Sequence, residues 1–304
     1  MIDLKVKIAG IEFKNPVITA SGTFGFGREY NRFYDISVLG GICTKGLTLE
    51  PREGNAAPRI AETPSGILNS VGLQNPGINS FIQNESMFLN SIDTVVIANI
   101  AGNTIENYCA AVEKISSADC VDMIELNISC PNVKEGGIAF GVDCSSAEKV
   151  VKEAKKLAKK PLIVKLSPNV SSISQIAKTV ENAGADAISL INTIGGMAID
   201  YKTKRPILAN IYGGLSGPAV KPIALKMTHE VSKAVKIPII GMGGITKAED
   251  ILEFMIAGAS AIQIGTVNFF DPNAGFRLVN ELTSLLKECK IDRLKDLIGS
   301  LIIN

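Results

Sequence analysis

Eight short β-branched runs recur along the chain and alternate with longer segments of helical period. Because these runs are apolar throughout, they predict strands buried on both faces of a parallel sheet. Eight strand–helix units predict an α/β fold, a (β/α)8 TIM barrel with its active site at the carboxyl ends of the strands. A doubly wound open sheet is the alternative, but the count of eight favours closure. The predicted strands begin at Val17, Gly41, Val95, Met123, Leu162, Ala187, Ile239 and Ala261.

Amphipathic segments separate the predicted strands, and three are clear: "SSAEKVVKEAKKLAKK", "SSISQIAKTVENAGA" and "ITKAEDILEFMIAGA". The third is predicted to begin at an N-cap on Thr246 and to end near Gly258. The opening "LKVKIAGIEFKNP" predicts an N-terminal hairpin at the bottom of the barrel. Since no linker or low-complexity segment divides the chain, residues 1–304 are predicted to form a single domain.

Three connections are longer than a helix requires: Gly46–Asp93, Ile128–Lys160 and Thr193–Pro238. They follow the second, fourth and sixth predicted strands. Long loops at the catalytic face of a barrel commonly shape a substrate site, so we expect these strand-end loops to do so.

Charge and cysteine content exclude several functional classes. With 31 basic and 30 acidic residues the net charge is near zero, which predicts neither nucleic-acid nor membrane binding. No apolar run approaches the roughly 20 residues of a membrane-spanning helix. The six cysteines form no CxxC pair, so no zinc or other metal site is predicted. The opening "MIDLKVKIAG" has no signal-peptide h-region, so a cytoplasmic location with reduced thiols is predicted.

Polar residues and glycines stand where the eight runs end, and all of them would converge on one cavity if the barrel closes. "GMGGI" and "IGT" follow the last two strands, where this fold commonly holds a phosphate through backbone N–H groups. The residues at these ends are Ser21, Gly22, Lys45, Gly46, Asn99, Asn127, Lys165, Asn192, Thr193, Gly243, Gly244, Gly265 and Thr266.

The amides and lysines at the strand ends suit a flat heterocycle with alternating C=O and N–H groups. Lys45 and Lys165 would each need an anionic partner if buried. A flavin meets these requirements, whereas a Schiff base on a strand-end lysine is the alternative chemistry. The chain lacks a G-x-G-x-x-G strand–turn–helix and an iron–sulfur cysteine pattern. Pyridine nucleotide or iron–sulfur chemistry would therefore need another polypeptide.

The general base is predicted to be a cysteine. The sole histidine, His229, lies in a helical segment away from the strand ends. Cys130 stands three residues beyond Asn127, in a glycine-bearing loop over the strand ends. A free thiol has a pKa of about 8.5, so it acts as a base mainly above neutral pH unless its surroundings lower that value.

Several motifs together resemble the dihydroorotate dehydrogenases of pyrimidine synthesis: "ELNISCPNV", "NSVGLQNPG", "TKGLTLEPREGNAAPRI", "IVKLSPN" and "GMGGI…GASAIQIGT". Cys rather than Ser at position 130 resembles class 1, and no class 2 membrane-associating extension precedes the barrel. The segment "NTIGGMAIDYKTKRPILANIYGGLSGPAVKP" is similar to class 1B. The resemblance implies FMN in this chain. It also implies a partner subunit carrying FAD and a 2Fe–2S cluster that passes electrons to NAD⁺, two of each chain forming a heterotetramer.

The resemblance also implies roles for individual residues. Cys130 would remove the C5 proton of dihydroorotate while a hydride passes from C6 to flavin N5. The implied substrate contacts are Lys45, Asn69, Ser70, Val71, Gly72, Leu73, Asn127, Asn192 and Thr193. The implied FMN contacts are Ser21, Lys45, Gly46, Asn99, Asn127, Lys165, Ile191, Gly217, Gly243, Gly244, Gly265 and Thr266.

Three other functions stay open on the sequence. A class 1A-like dihydroorotate dehydrogenase would work alone and reduce fumarate, although the 193–217 segment favours class 1B. A tRNA dihydrouridine synthase is another FMN barrel with a loop cysteine, but it needs a basic surface that a net charge of +1 does not supply. A barrel that only binds a phosphorylated ligand would have no need of a cysteine beside a cluster of amides.

Overall fold

A closed barrel of eight parallel strands forms the centre of the molecule. The computed structural model of the protein describes residues 2–129 and 140–303. In chain order the strands are β1 (Val6–Ile8), β2 (Ile11–Phe13), β3 (Val17–Thr19), β4 (Gly41–Cys43), β5 (Ile60–Thr63), β6 (Gly66–Asn69), β7 (Val95–Ile100), β8 (Met123–Asn127), β9 (Leu162–Lys165), β10 (Ala187–Leu190), β11 (Ile194–Met197), β12 (Ile199–Asp200), β13 (Arg205–Pro206), β14 (Tyr212–Ser216), β15 (Ile239–Met242) and β16 (Ala261–Ile264).

The barrel strands are β3, β4, β7, β8, β9, β10, β15 and β16, and β16 pairs with β3 to close the ring. They begin at the eight predicted positions. β4, β8, β9, β10, β15 and β16 are buried along their whole length. This burial on both faces is what continuous apolar runs predict. The (β/α)8 prediction is therefore confirmed, and the open-sheet alternative is wrong.

Helices connect the barrel strands on the outside. They are α1 (Gly77–Asn90), α2 (Ile105–Ile115), α3 (Cys144–Leu157), α4 (Ile173–Asn182), α5 (Lys221–Ser232), α6 (Ala248–Ala257), α7 (Val267–Phe270) and α8 (Ala274–Glu288). Short 3₁₀ turns lie at Tyr30–Arg32, Ile36–Val38, Pro218–Val220 and Leu294–Leu297. The three predicted amphipathic segments form α3, α4 and α6. None of the described helices has the length and apolar character needed to cross a membrane.

One predicted helix boundary is wrong. The N-cap of α6 is Lys247 rather than Thr246. The carboxylate of Asp250, three residues into the helix, accepts the backbone N–H of both Thr246 and Lys247. It therefore holds Thr246 outside the first turn. The predicted end is confirmed, because Gly258 terminates α6 with a left-handed φ of 118°.

The N-terminal hairpin is confirmed as an antiparallel pair, in which Val6 of β1 lies opposite Phe13 of β2. Phe13 is fully buried. A Cβ added at Gly41, the first residue of β4, would lie 3.1 Å from the Phe13 ring. The hairpin thus packs against the amino ends of the barrel strands, away from the face where the site is expected.

A second, four-stranded antiparallel sheet is built from two of the long connections. Strands β5 and β6 follow the second barrel strand, and β11 and β14 follow the sixth. β14 pairs with β6, with Gly214 opposite Asn69. A Cβ at Gly214 would lie 1.9 Å from Oγ1 of Thr193, so the chain can approach this closely only at a glycine.

Candidate active site

A large cavity opens at the carboxyl ends of the barrel strands. Its volume is about 1230 Å³, and the strand ends and the four-stranded sheet both line it. Typical small-molecule pockets reach about 1,000 Å³. The cavity is therefore large enough for a cofactor and a small substrate together.

The structure brings together every predicted site residue that it describes. Cys130 lies outside the described residues. The predicted residues that line the cavity are Ser21, Lys45, Gly46, Asn69, Ser70, Val71, Gly72, Leu73, Asn99, Asn127, Lys165, Ile191, Asn192, Thr193, Gly217, Gly243, Gly244, Gly265 and Thr266.

Three cavity positions that follow β14 and β15 require glycine. Gly217, Gly243 and Gly244 have φ values of 109°, 132° and 74°, a region that side chains other than glycine rarely occupy. A Cβ at Gly244 would also lie 2.8 Å from the Cβ of Lys221 and 2.9 Å from the carbonyl oxygen of Gly217. These glycines leave the backbone without a Cβ, and main-chain N–H groups of this kind can be approached closely by an anion.

Lys45 brings a buried ammonium group to the cavity. Burial lowers the pKa of its ammonium, and the nearby Arg59 guanidinium lowers it further. Within residues 2–129 and 140–303, no carboxylate forms an ion pair with Lys45. A buried ammonium without an anion is costly, so this wall of the cavity is suited to an anionic ligand.

Lys165 has an anionic partner that the sequence analysis missed. Oε1 of Glu125 lies 3.6 Å from its Nζ, and Glu125 is fully buried. Burial alone would raise the pKa of this carboxyl, but Lys165 and hydrogen bonds from Gln263, Ser189 and Asn99 outweigh burial and lower it. The signal was present in the sequence, since "MIELN" places one carboxylate inside a strand predicted to be buried on both faces.

Two amide oxygens beside the cavity have no hydrogen-bond partner among the described residues. Oδ1 of Asn99 and Oε1 of Gln263 are buried and accept no hydrogen bond within the described part of the chain. Both residues line the cavity. Gln263 was also missed by the sequence analysis, because it stands within an apolar strand rather than at its end. Unpartnered acceptors of this kind suit a ligand that carries N–H donors.

Fold and site together define a (β/α)8-barrel enzyme with its ligand cavity at the carboxyl ends of the strands. The sequence model of the dihydroorotate dehydrogenase family matches residues 3–286. The chain belongs to this family, which confirms the resemblance read from the motifs.

Similar proteins extend over nearly the whole chain. One from Petrotoga mobilis, named dihydroorotate dehydrogenase B (NAD(+)), catalytic subunit, is 56% identical over 98% of this chain and 99% of its own length. Proteins of the same name from Alkaliphilus metalliredigens and Bacillus mycoides are each 55% identical. These matches cover 99% and 97% of this chain, and 99% and 96% of the relatives.

Proposed function

We propose that this chain oxidises dihydroorotate to orotate with FMN bound in the barrel cavity, as the catalytic subunit of an NAD⁺-linked enzyme. The observation that carries the proposal is the convergence of all the described candidate residues on one cavity. The names of the relatives support the NAD⁺-linked class over one that reduces fumarate.

The cavity fits FMN in its donor set and in its backbone. Gly217, Gly243, Gly244, Gly265 and Thr266 would hold the phosphate. The side-chain oxygens of Asn99 and Gln263, which have no described partner, could accept a hydrogen bond from the N–H of the flavin ring. The Lys165 ammonium could donate to the C=O groups of the ring. The remaining predicted contacts are Ser21, Lys45, Gly46, Asn127 and Ile191. When bound, FMN supplies a two-electron acceptor for the hydride that leaves C6 of the substrate.

The substrate would lie beside the Lys45 ammonium. Dihydroorotate carries a carboxylate, and Lys45 has no described anionic partner. The amides of Asn69, Asn127 and Asn192 offer donors and acceptors for the ring of the substrate, with Thr193 beside them. The segment Ser70–Leu73, comprising Ser70, Val71, Gly72 and Leu73, would form one wall. These groups bind and orient the substrate, so that its C5 and C6 hydrogens are held for removal.

Cys130 would act as the general base that takes the C5 proton. The assignment to Cys130 rests on the family resemblance. None of the described residues lining the cavity is Asp, Glu, His or Cys, which is compatible with it. Ser129, next to Cys130 in the chain, does line the cavity and is buried. His229 lies in α5 and does not line it.

Electrons would leave through a second subunit that carries FAD and a 2Fe–2S cluster, with two copies of each chain in the assembly. The words "catalytic subunit" in the relatives' names support a partner. The cytoplasmic location stays a prediction.

Reduction of bound flavin by dihydroorotate tests the proposal. The purified chain should be yellow, and anaerobic dihydroorotate should bleach its visible flavin absorbance. Orotate, the product, should bind without bleaching and serves as the matched control. A protein that binds no FMN contradicts the proposal. Rapid fumarate turnover by the isolated chain would instead identify the class 1A-like enzyme.

A further inference from the structure

Glu125 is the centre of a polar cluster inside the barrel. Its Oε1 accepts from the Asn99 amide at 2.6 Å and from the Cys43 thiol at 3.4 Å, and lies 3.6 Å from Lys165 Nζ. Its Oε2 accepts from Ser189 Oγ and from Gln263 Nε2, each at 2.8 Å. The donors and Glu125 itself come from six of the barrel strands: β4, β7, β8, β9, β10 and β16.

The carboxylate is ionised despite its burial. Burial would raise its pKa, but the Lys165 ammonium and three hydrogen bonds lower it instead. Cys43 behaves in the opposite way. Burial and the adjacent negative charge raise the pKa of its thiol, so it keeps its proton and donates. Glu125 therefore carries a negative charge inside the barrel, and each of its five partners among the described residues is a hydrogen-bond donor or a cation.

Glu125 does not line the cavity, but three of its partners do: Asn99, Lys165 and Gln263. Because both amides donate their N–H₂ groups to Glu125, their oxygens are left without partners among residues 2–129 and 140–303. A neutral side chain at 125 would remove the reason for this orientation. The carboxylate thus determines which atoms of these amides remain for a ligand, and it holds the buried ammonium of Lys165 nearby.

We propose that Glu125 is a positioning residue for the cofactor: its charge holds Asn99, Gln263 and Lys165 in the arrangement that binds the FMN ring and sets the flavin midpoint potential. This inference rests on the proposed function.

Glu125→Gln tests the charge with little change of shape. A glutamine would place an N–H₂ group among donors, so we expect FMN to bind about tenfold more weakly. Removing one negative charge from beside the site should favour the more negatively charged reduced flavin. The midpoint potential of the bound flavin should therefore become more positive. Titration of the apoprotein with FMN and anaerobic spectral titration of the holoprotein measure the two effects.

Ser189→Ala is the matched control. Ser189 contacts Oε2 of Glu125 at 2.8 Å but does not line the cavity, and its removal leaves the charge in place. We expect a lower melting temperature with an unchanged midpoint potential. A purely structural role for Glu125 predicts the same pattern for both variants, so an unchanged or more negative potential in Glu125→Gln overturns the proposal.

Glu125→Asp covers the case in which Glu125→Gln does not fold. The shorter carboxylate keeps the charge but cannot reach donors on both sides, so FMN should bind more weakly without a positive shift in potential. FMN affinity equal to that of the wild type would contradict the inference. If the wild type itself binds no FMN, the proposed function fails. If the wild type binds and Glu125→Gln is identical to it, only this inference fails.

Discussion

The ammonium of Lys221 donates to Oδ1 of Asp250 at 2.6 Å, and this ion pair joins α5 to α6 beside the glycine pair Gly243–Gly244. The other carboxylate oxygen of Asp250 accepts the backbone N–H of Thr246 at 2.8 Å. Asp250 is 2% exposed. One buried carboxylate therefore fixes both the loop that follows β15 and the helix that packs against it.

Asp250→Asn should destabilise the protein at neutral pH. It removes a buried charge that holds a lysine and two backbone N–H groups, at a cost of about 1–3 kcal/mol in the free energy of unfolding. Glu253→Gln is the matched control, since Glu253 also receives Lys221 Nζ, at 2.8 Å, but its side chain is 46% exposed. That change should cost less than about 1 kcal/mol. Equal losses of unfolding free energy for the two variants in urea denaturation would contradict this role of the buried Asp250 carboxylate.

The same carboxylate should contribute to acid denaturation. Burial raises the pKa of Asp250, but hydrogen bonds from Lys221, Thr246 and Lys247 outweigh burial and hold the pKa below its usual value of 3.8. A group whose folded pKa is lowered stabilises the fold above its unfolded pKa, and that stability is lost as pH falls through the folded value. Below about pH 4 the wild type should therefore lose stability more steeply than Asp250→Asn. Parallel curves of unfolding free energy against pH would refute this.

Gly244→Ala should be far more damaging than Gly265→Ala. The left-handed φ of 74° and the 2.8 Å approach to Lys221 Cβ predict a cost of about 2–4 kcal/mol. At Gly265 the nearest atom to an added Cβ is Ala20 Cβ, at 3.6 Å, which is ordinary contact. Denaturant midpoints of the two purified variants compare them directly. Similar midpoints would show that the loop after β15 relaxes to accept a side chain.

Tyr108→Phe should destabilise the carboxyl end of β8. The Tyr108 hydroxyl donates to the carbonyl oxygen of Asn127 at 2.7 Å, and Tyr108 is 1% exposed. Loss of this donor should cost about 1–2 kcal/mol in thermal or urea unfolding. Tyr201→Phe is the control, because Tyr201 is 79% exposed and its change should be nearly neutral. An equally small effect at both positions would mean that the Asn127 carbonyl finds another donor.

Cys130→Ala should slow flavin reduction by dihydroorotate about 10²–10⁴-fold, the usual effect of losing a general base. Binding of dihydroorotate should be largely retained. The wild-type rate should rise with pH through the thiol pKa, about 8.5 for an ordinary cysteine, and the variant should lose this dependence. Cys289→Ala, at an exposed cysteine, is the control for a general effect of thiol removal. Stopped-flow kinetics with wild-type rates in Cys130→Ala would exclude it as the base.

The barrel could be predicted because each of its strands is recognisable from its own local sequence. Runs such as "LIVKL" and "AISLIN" are apolar on both faces, and only a doubly covered parallel sheet buries them. Strand ends were equally visible in the sequence, and predicted residues such as Asn127 and Gly243 line the cavity. The N-cap of α6 was predicted one residue too early, at Thr246. Asp250, in the first turn of the helix, accepts the backbone N–H of Thr246, and the sequence spacing alone does not reveal this contact.

The partners of Glu125 and the four-stranded sheet could not be predicted in the same way. The partners of Glu125 come from five other strands, and none of them is near it in the sequence. Similarly, Asn69 and Gly214 are 145 positions apart, and the glycines of β14 carry no strand propensity. Both features depend on closure of the barrel, which brings distant segments together.

The pairing of β6 with β14 has a consequence for biosynthesis. A nascent polypeptide that ends before Tyr212 already contains six of the eight barrel strands, but it lacks β14, one of the two central strands of the antiparallel sheet. Because β15, β16 and the residues after them also line the cavity, it can be completed only late in translation, after Thr266 has left the ribosome. Chains that end before Tyr212 would therefore lack one wall of this cavity and the ends of its last two barrel strands.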